Sequence, residues 1–429
     1  MRALTRPLPP GPLVDPGRVA GDGGVFFANQ ALTLAGSGRA AVLPLPDGLG
    51  DPAGCLAAVA WLAALDRDDP LGLPGTGPVA FGALPFEIDA VGALVVPAVL
   101  YGRAADGTEW VTVVGDDPLP DLSREWLLHE VSSPRRIEHP STPRILESRP
   151  TDYPDAVMRA TKAIHDGPLR KVVLARRLVV ETGSSVVPSA MLKRLADDEP
   201  SATSFLFGRG QGAFVGASPE LLVSRRNRWV LSHPLAGTIA LEAAWGSAEL
   251  GDRLLGSAKN REEHELVVAD IAGVLDPRCS ELVVPSAPSL VPLHTMTHLG
   301  TRIEGRLIEE DGHVPSALEL VAALHPTPAV GGVPRAEALE LIAVLEPGPR
   351  GPWAGPVGWV DASGDGDWMV GLRSATLSAT TATIWAGAGI VAASDPESEL
   401  AETTVKLAPV LEGLAPGASA LLEGCATRN

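Results

Sequence analysis

In the stretch "SDPESELAETTVK", residues 394–406, three ionisable side chains recur at intervals of three and four. On a helix, Glu399, Glu402 and Lys406 fall on one stripe. Two carboxylates beside one ammonium read either as a solvated salt-bridge ladder or as half of a metal site. A second stretch, "NREEHELV", carries Glu262, Glu263 and Glu265, and only Glu263 continues the apolar face through Val267 and Asp270. A carboxylate on a buried helix face is costly unless it is paired or holds a cation. Two helices, one with Glu263 and the other with Glu399 and Glu402, would supply oxygen ligands. Magnesium typically takes one or two protein carboxylates and keeps water and substrate in its other places.

Other residues could move protons. Lys171 opens "KVVLARR", so its amine emerges beside an apolar wall; desolvation there favours the neutral amine, which is a base. The plainer reading is an edge-strand lysine reaching solvent. In "ASPELL", Glu220 follows Ser218-Pro219, where a turn pushes it out of a sheet. A carboxyl against an apolar surface can stay protonated and act as an acid, or it can simply cap a turn. His294 and His298 are four apart, but Thr295, Thr297 and Thr301 favour a strand, and no third zinc ligand lies nearby. The glycines of "WAGAGIV" read as places where the backbone approaches a small ligand rather than as a phosphate loop.

These residues need a scaffold, and 429 residues, 45% of them hydrophobic, can bury a large core. A formal charge of −18 has the wrong sign for a nucleic-acid partner. Cys55, Cys279 and Cys425 are scattered, without CxxC spacing, which indicates neither a disulfide framework nor a thiolate zinc site and fits a reducing cytoplasm. The proline-broken N-terminus argues against a signal peptide, and "AVGALVVPAVLYG" is too short to span a bilayer. Residues 1 to about 130 read as short strands and turns, and "HEVSSPRRIEHPSTPRILESRP" as a connection. Beyond it, "TDYPDAVMRATKAIHDGPL" predicts a helix with Val157, Ala160 and Ile164 inward, and "SAKNREEHELVVADIAGVL" a second with Val267, Ile271 and Val274. "GAFVGASPELLVSRR" and "NRWVLSHPLAGTIA" read as two successive strands joined by a turn. Strands that run into strands favour α+β over a doubly wound sheet.

The motifs "KVVLARR", "GASPELLV", "PLAGT", "NREEHELV", "LHPTPAVGG", "GPVGWVDASGDGDWMVGLRSA" and "AGAGIVAASDPESELAETTVK" stand in the order found in chorismate-utilising enzymes of the anthranilate synthase component I type. Among these the chain most resembles isochorismate synthases, strongly over residues 150–413 and weakly over 1–149, where "FGALPFE" is similar to a shorter signature. The resemblance implies one large α+β domain over 1–429, with two antiparallel sheets packed as a sandwich and helices outside. It implies magnesium, with Glu263 and Glu402 holding the ion on the ring carboxylate of chorismate and Glu399 helping directly or through water. Lys171 would be the base that activates water and Glu220 the acid that protonates the departing hydroxyl. Gly237 and Thr238 would meet the ring carboxylate. Arg373 and the backbone at Gly387 would take the enolpyruvyl carboxylate, with Lys406 adding positive charge.

Within the family, the ammonia-using synthases carry a glutamine where Lys171 stands, and a "FPAGT.SGAPK"-like segment in place of "HPTPAVGGVPR". Both differences imply water as the nucleophile, with His325 and Ala329 of "HPTPA" at the substrate. Such synthases commonly work as cytoplasmic monomers without a glutaminase subunit. Salicylate synthases, which go on to eliminate pyruvate, are the alternative within the family. A zinc hydrolase built on His294, His298 and a glutamate, and a non-catalytic chorismate-binding subunit of an amidotransferase complex, are the alternatives outside it; the subunit reading conflicts with the presence of both Lys171 and Glu220.

Overall fold

The computed structural model describes residues 1–130, 142–148, 152–210, 212–241 and 247–422. Cys425, Thr151 and most of the expected connection after residue 130 lie outside the described residues. The helix Asp152–Asp166 buries Val157, Ala160 and Ile164 as their spacing predicts, and Tyr153 with them. The helix Ala258–Leu275 starts where the Ser257 side chain accepts a hydrogen bond from the Asn260 N–H, satisfying one of the free amides of a first turn. Its buried face runs through Glu263, Val267 and Ile271, while Glu262 and Glu265 are exposed. The helix Pro396–Leu414 opens in the same way, with Asp395 accepting from Ser398 and Pro396 at its first position.

Among the described residues, two large sheets of thirteen and nine strands make the body of the molecule, with a three-stranded sheet beside them. Pairing is antiparallel except where Arg2–Pro7 meets Asp66–Asp68. The large sheets pack face to face through one apolar cluster: Phe27, Leu34 and Phe205 come from the thirteen-stranded sheet, and Phe81, Val357 and Trp359 from the nine-stranded one. This is the expected α+β sandwich. Both sheets weave early and late strands together. Val25–Ala28 pairs with Thr203–Arg209, and Val79–Ala83 with Pro356–Asp361.

Two expectations about strands are corrected. Lys171–Glu181 is an interior strand, paired along one side with Thr381–Ile390 and on the other with Arg144–Ser148 at its end and Gly332–Val333 at its start, where Lys171 stands opposite Val333, so Lys171 is not at an exposed edge. "GAFVGASPELLVSRR" and "NRWVLSHPLAGTIA" each form two strands, not one. Gly212–Ser218 belongs to the thirteen-stranded sheet and Leu221–Arg226 to the nine-stranded sheet; Trp229–His233 belongs to the nine-stranded sheet and Leu235–Ala240 to the small one. The breaks fall at Pro219 and Pro234. A proline lacks the N–H that would continue a ladder, so the chain leaves one sheet and enters another at these points. Among the described residues no helix is long and apolar enough to cross a membrane.

Candidate active site

The sheet changes at Pro219 and Pro234 deliver their following residues, Glu220 and Gly237, to one pocket. The strand Thr381–Ile390 forms its floor through Trp385, Gly387 and Gly389, which alternate onto one face. The helices Ala258–Leu275 and Pro396–Leu414 add Glu263, Glu402 and Lys406. Thr238, Ala329 and Arg373 complete the set of expected residues that line it.

Lys171 is fully buried. Its Nζ lies 3.1 Å from Glu263 Oε1, yet in a direction that makes no hydrogen bond with any described group. The pair fits only because position 389 is glycine: a Cβ there would stand 2.0 Å from Glu263 Oε1 and 3.1 Å from Lys171 Cε. The expected base and the expected metal ligand are thus ion-paired neighbours.

Glu220 is buried, and the turn that carries it is held at both ends. Its N–H donates to Ser218 Oγ (3.3 Å) and its carbonyl accepts from the Val370 N–H (3.1 Å). Burial pushes its carboxyl up to about 8, against the opposing pull of Lys171, the Leu235 N–H, Lys406 and Arg373. At neutral pH this side chain is predominantly a proton donor.

The Pro396–Leu414 stripe is a ladder, though a buried one. Glu399 is 1% exposed and ion-paired to Lys259; burial, then the charge of Glu402, push its carboxyl upward. Glu402 Oε1 pairs with Lys406 Nζ at 2.6 Å, and Lys406 also donates to the Gly387 carbonyl (2.8 Å). Each of the three carboxylates is therefore matched by a lysine: Glu263 by Lys171, Glu399 by Lys259, Glu402 by Lys406. Among the described residues no three His, Cys, Asp or Glu side chains converge as a metal cage. Two carboxylates, Glu263 and Glu402, do share the pocket, and an all-oxygen pair open to water and substrate suits a hard cation such as magnesium in kind and number. Glu399 does not line the pocket, and it is held in its ion pair with Lys259.

Arg373 sits in the left-handed region at φ 48°, uncommon outside glycine. Its Nη2 donates to Met296 Sδ (2.7 Å), and among the described residues it forms no ion pair with a carboxylate. Burial lowers its guanidinium to about 10, which leaves it charged and free to receive an anion. Gly237 takes φ 77°, and a Cβ on it would press to 2.9 Å from the Asn260 carbonyl.

The structure separates two residues of "HPTPA". Ala329 lines the pocket, but His325 does not: its Nε2 meets the Phe86 carbonyl at 2.9 Å and its ring packs edge-on to Phe86 at 5.8 Å. Burial holds it down to about 4, so it is a neutral link to the early "FGALPFE" segment. His298, weighed above only for zinc, lines the pocket instead, with Nδ1 2.9 Å from Thr238 Oγ1. Burial, then Arg373 and Lys406, keep it neutral. His294 is tied elsewhere, its N–H donating to Glu199 Oε2 (2.8 Å). Lys259 also escaped the sequence reading, although its spacing of four before Glu263 placed it on the same helix face.

A family model described as chorismate binding enzyme matches residues 105–415. MenF of Mycobacterium tuberculosis strain H37Rv is 41% identical over 357 residues, spanning 79% of this chain and 87% of that one. Isochorismate synthase EntC of Escherichia coli K12 is 35% identical over 340 residues, spanning 78% and 80%. The solved structure of the menaquinone-specific isochorismate synthase MenF of Escherichia coli aligns with a TM-score of 0.77 at 26% identity, covering 96% of this chain and 94% of that one.

Proposed function

The chain belongs to the chorismate binding enzyme family, and we propose that within it this protein is an isomerase that converts chorismate to isochorismate. One observation carries the reading: a protonated acid, Glu220, and an unpaired guanidinium, Arg373, line one pocket with Glu263, and the buried amine of Lys171 lies 3.1 Å behind that Glu263 carboxylate with no hydrogen-bond partner. Water adds to C2 of the ring as hydroxide leaves C4. Lys171 takes the proton from the incoming water, and Glu220 gives its proton to the departing hydroxyl, so one water enters and one leaves. Arg373 and Lys406, beside Gly387, receive the enolpyruvyl carboxylate. Gly237, with the Thr238–His298 hydrogen bond behind it, meets the ring carboxylate. Magnesium held by Glu263 and Glu402 would neutralise that carboxylate and draw electron density from the ring.

Water as the nucleophile requires no ammonia-supplying subunit, and Lys171 at this position favours that chemistry over amination. The test is a reaction of purified protein with chorismate and magnesium, followed by chromatography and a coupled pyruvate assay. Isochorismate should form reversibly with no pyruvate. Stoichiometric pyruvate without an added lyase would reassign the protein as a salicylate synthase. No product with magnesium present would remove the reading.

A further inference from the structure

The proposed reaction leaves one wall of the pocket without a task. Trp353 and Trp385 stack with ring centroids 5.9 Å apart and planes 19° from parallel. Each carries a guanidinium, Arg350 at 5.2 Å from the Trp353 centroid and Arg177 at 5.8 Å from that of Trp385. Arg350 is itself immobilised, donating to Glu346 Oε2 (2.8 Å) and to the carbonyls of Val330 (2.7 Å) and Val173 (2.8 Å). Trp385 is fixed in the sheet, in register with Arg177. Both indoles are buried, and stacked aromatics under cations gain attraction beyond their area. The wall is rigid, and it stands at the cationic end of the pocket. Trp353 Cη2 comes within 3.2 Å of where a Cβ on Gly387 would be, and Lys406 is bonded to the Gly387 carbonyl.

We propose that the Trp353–Trp385 stack determines product specificity by holding the enolpyruvyl arm extended, so that the reaction stops at isochorismate; this rests on the reading of the pocket given above. Elimination from isochorismate is intramolecular. The hydrogen on C2 passes to the terminal methylene of the enolpyruvyl group as the C3–O bond breaks, which yields salicylate and pyruvate with no co-reactant. The methylene must fold back over the ring to reach that hydrogen. An indole filling the space beside Gly387 denies the arm that fold, and geometry a little away from a reactive conformer costs rate steeply.

The test supplies isochorismate directly, which separates this step from water addition. Wild type, Trp353→Phe, Trp385→Phe and Trp353→Ala are compared for pyruvate release, with calorimetric binding of isochorismate and a thermal melt on each. The wild type should match the enzyme-free rate, and the variants should release pyruvate at least about tenfold faster, the effect expected for reshaping an apolar wall by a few carbons. Variants that bind isochorismate and melt cooperatively, yet release pyruvate at the wild-type rate, overturn the proposal. So does a wild type that already eliminates pyruvate. If Trp353→Ala does not fold, the two phenylalanine variants decide alone. Failure of the wild type to make isochorismate from chorismate is a different result, and it removes the functional reading instead.

Discussion

Two turns in this molecule bury acidic side chains and use them in opposite ways. In the turn 361–367, Asp361 accepts from the N–H groups of Gly75 (3.1 Å), Ser363 (2.8 Å) and Asp365 (3.1 Å). Asp365 takes Arg225 Nη1 (2.9 Å) and the Asn227 N–H (2.6 Å), and Asp367 takes Ser224, Asn29 and Arg226. Burial raises Asp361 only to about 6. At the Pro219–Glu220 turn the carboxyl has one backbone donor, from Leu235, and its cations act at longer range, so burial carries it to about 8. Satisfied acids of this kind hold a fold together, and an undersatisfied one keeps a proton that it is poised to give.

The same acid-to-amide change should therefore do different damage at the two turns. Glu220→Gln, and Lys171→Gln beside it, should each lower kcat by about 10² to 10⁴ while chorismate binding survives, because an amide neither gives nor takes the proton. Full turnover in Lys171→Gln, with water as the only nucleophile, would end its assignment as base. Asp365→Asn should instead spare the chemistry and lower stability by about 3–5 kcal/mol, since it removes the carboxylate charge paired with the buried Arg225 guanidinium. Chemical denaturation reads that loss, and an unchanged midpoint would break the contrast between the turns.

The carboxylates of the ladder give an intermediate case. Glu263→Gln and Glu402→Gln should abolish most magnesium-dependent activity, and Glu399→Gln, outside the pocket but close enough for the Glu402 charge to act on it, should raise the magnesium requirement by roughly 10- to 100-fold. Titration of activity against magnesium separates these outcomes. Equal, small effects from all three would return residues 394–406 to a purely structural ladder.

The smallest effect is the sharpest in sign. Glu220 holds its proton up to about 8 in the folded protein, against an ordinary value of 4.5. Between those values the native state binds a proton that the unfolded chain has released, so stability falls as pH rises and levels off above the folded value. Glu220→Gln removes this liability. Its Tm should exceed that of the wild type at about pH 9 and approach it near pH 5, whereas Asp365→Asn lowers Tm at both. In the wild type, activity should decline as pH passes about 8 and the acid is lost.

What could be read from residue order was whatever depends on near neighbours. The inward faces of the helices at 152–166 and 258–275, the singling out of Glu263 from Glu262 and Glu265, and the exit of Glu220 from a sheet after Pro219 all follow from helical period and proline chemistry, which act over a turn or two of chain. The ordered motifs extended that reach to Arg373 and Glu402, which stand far apart in the sequence and line the same pocket. Tertiary structure alone decided the rest. Whether Lys171 meets solvent or Glu263 depends on which strands flank it, and His325 could be separated from Ala329 only once Phe86, far away in the chain, was seen to claim its ring. The pairing of Glu399 with Lys259, the stacking of Trp353 on Trp385 and the change of sheet at each proline join residues distant in sequence. Such contacts are set by packing and desolvation across the whole core, which no local pattern records.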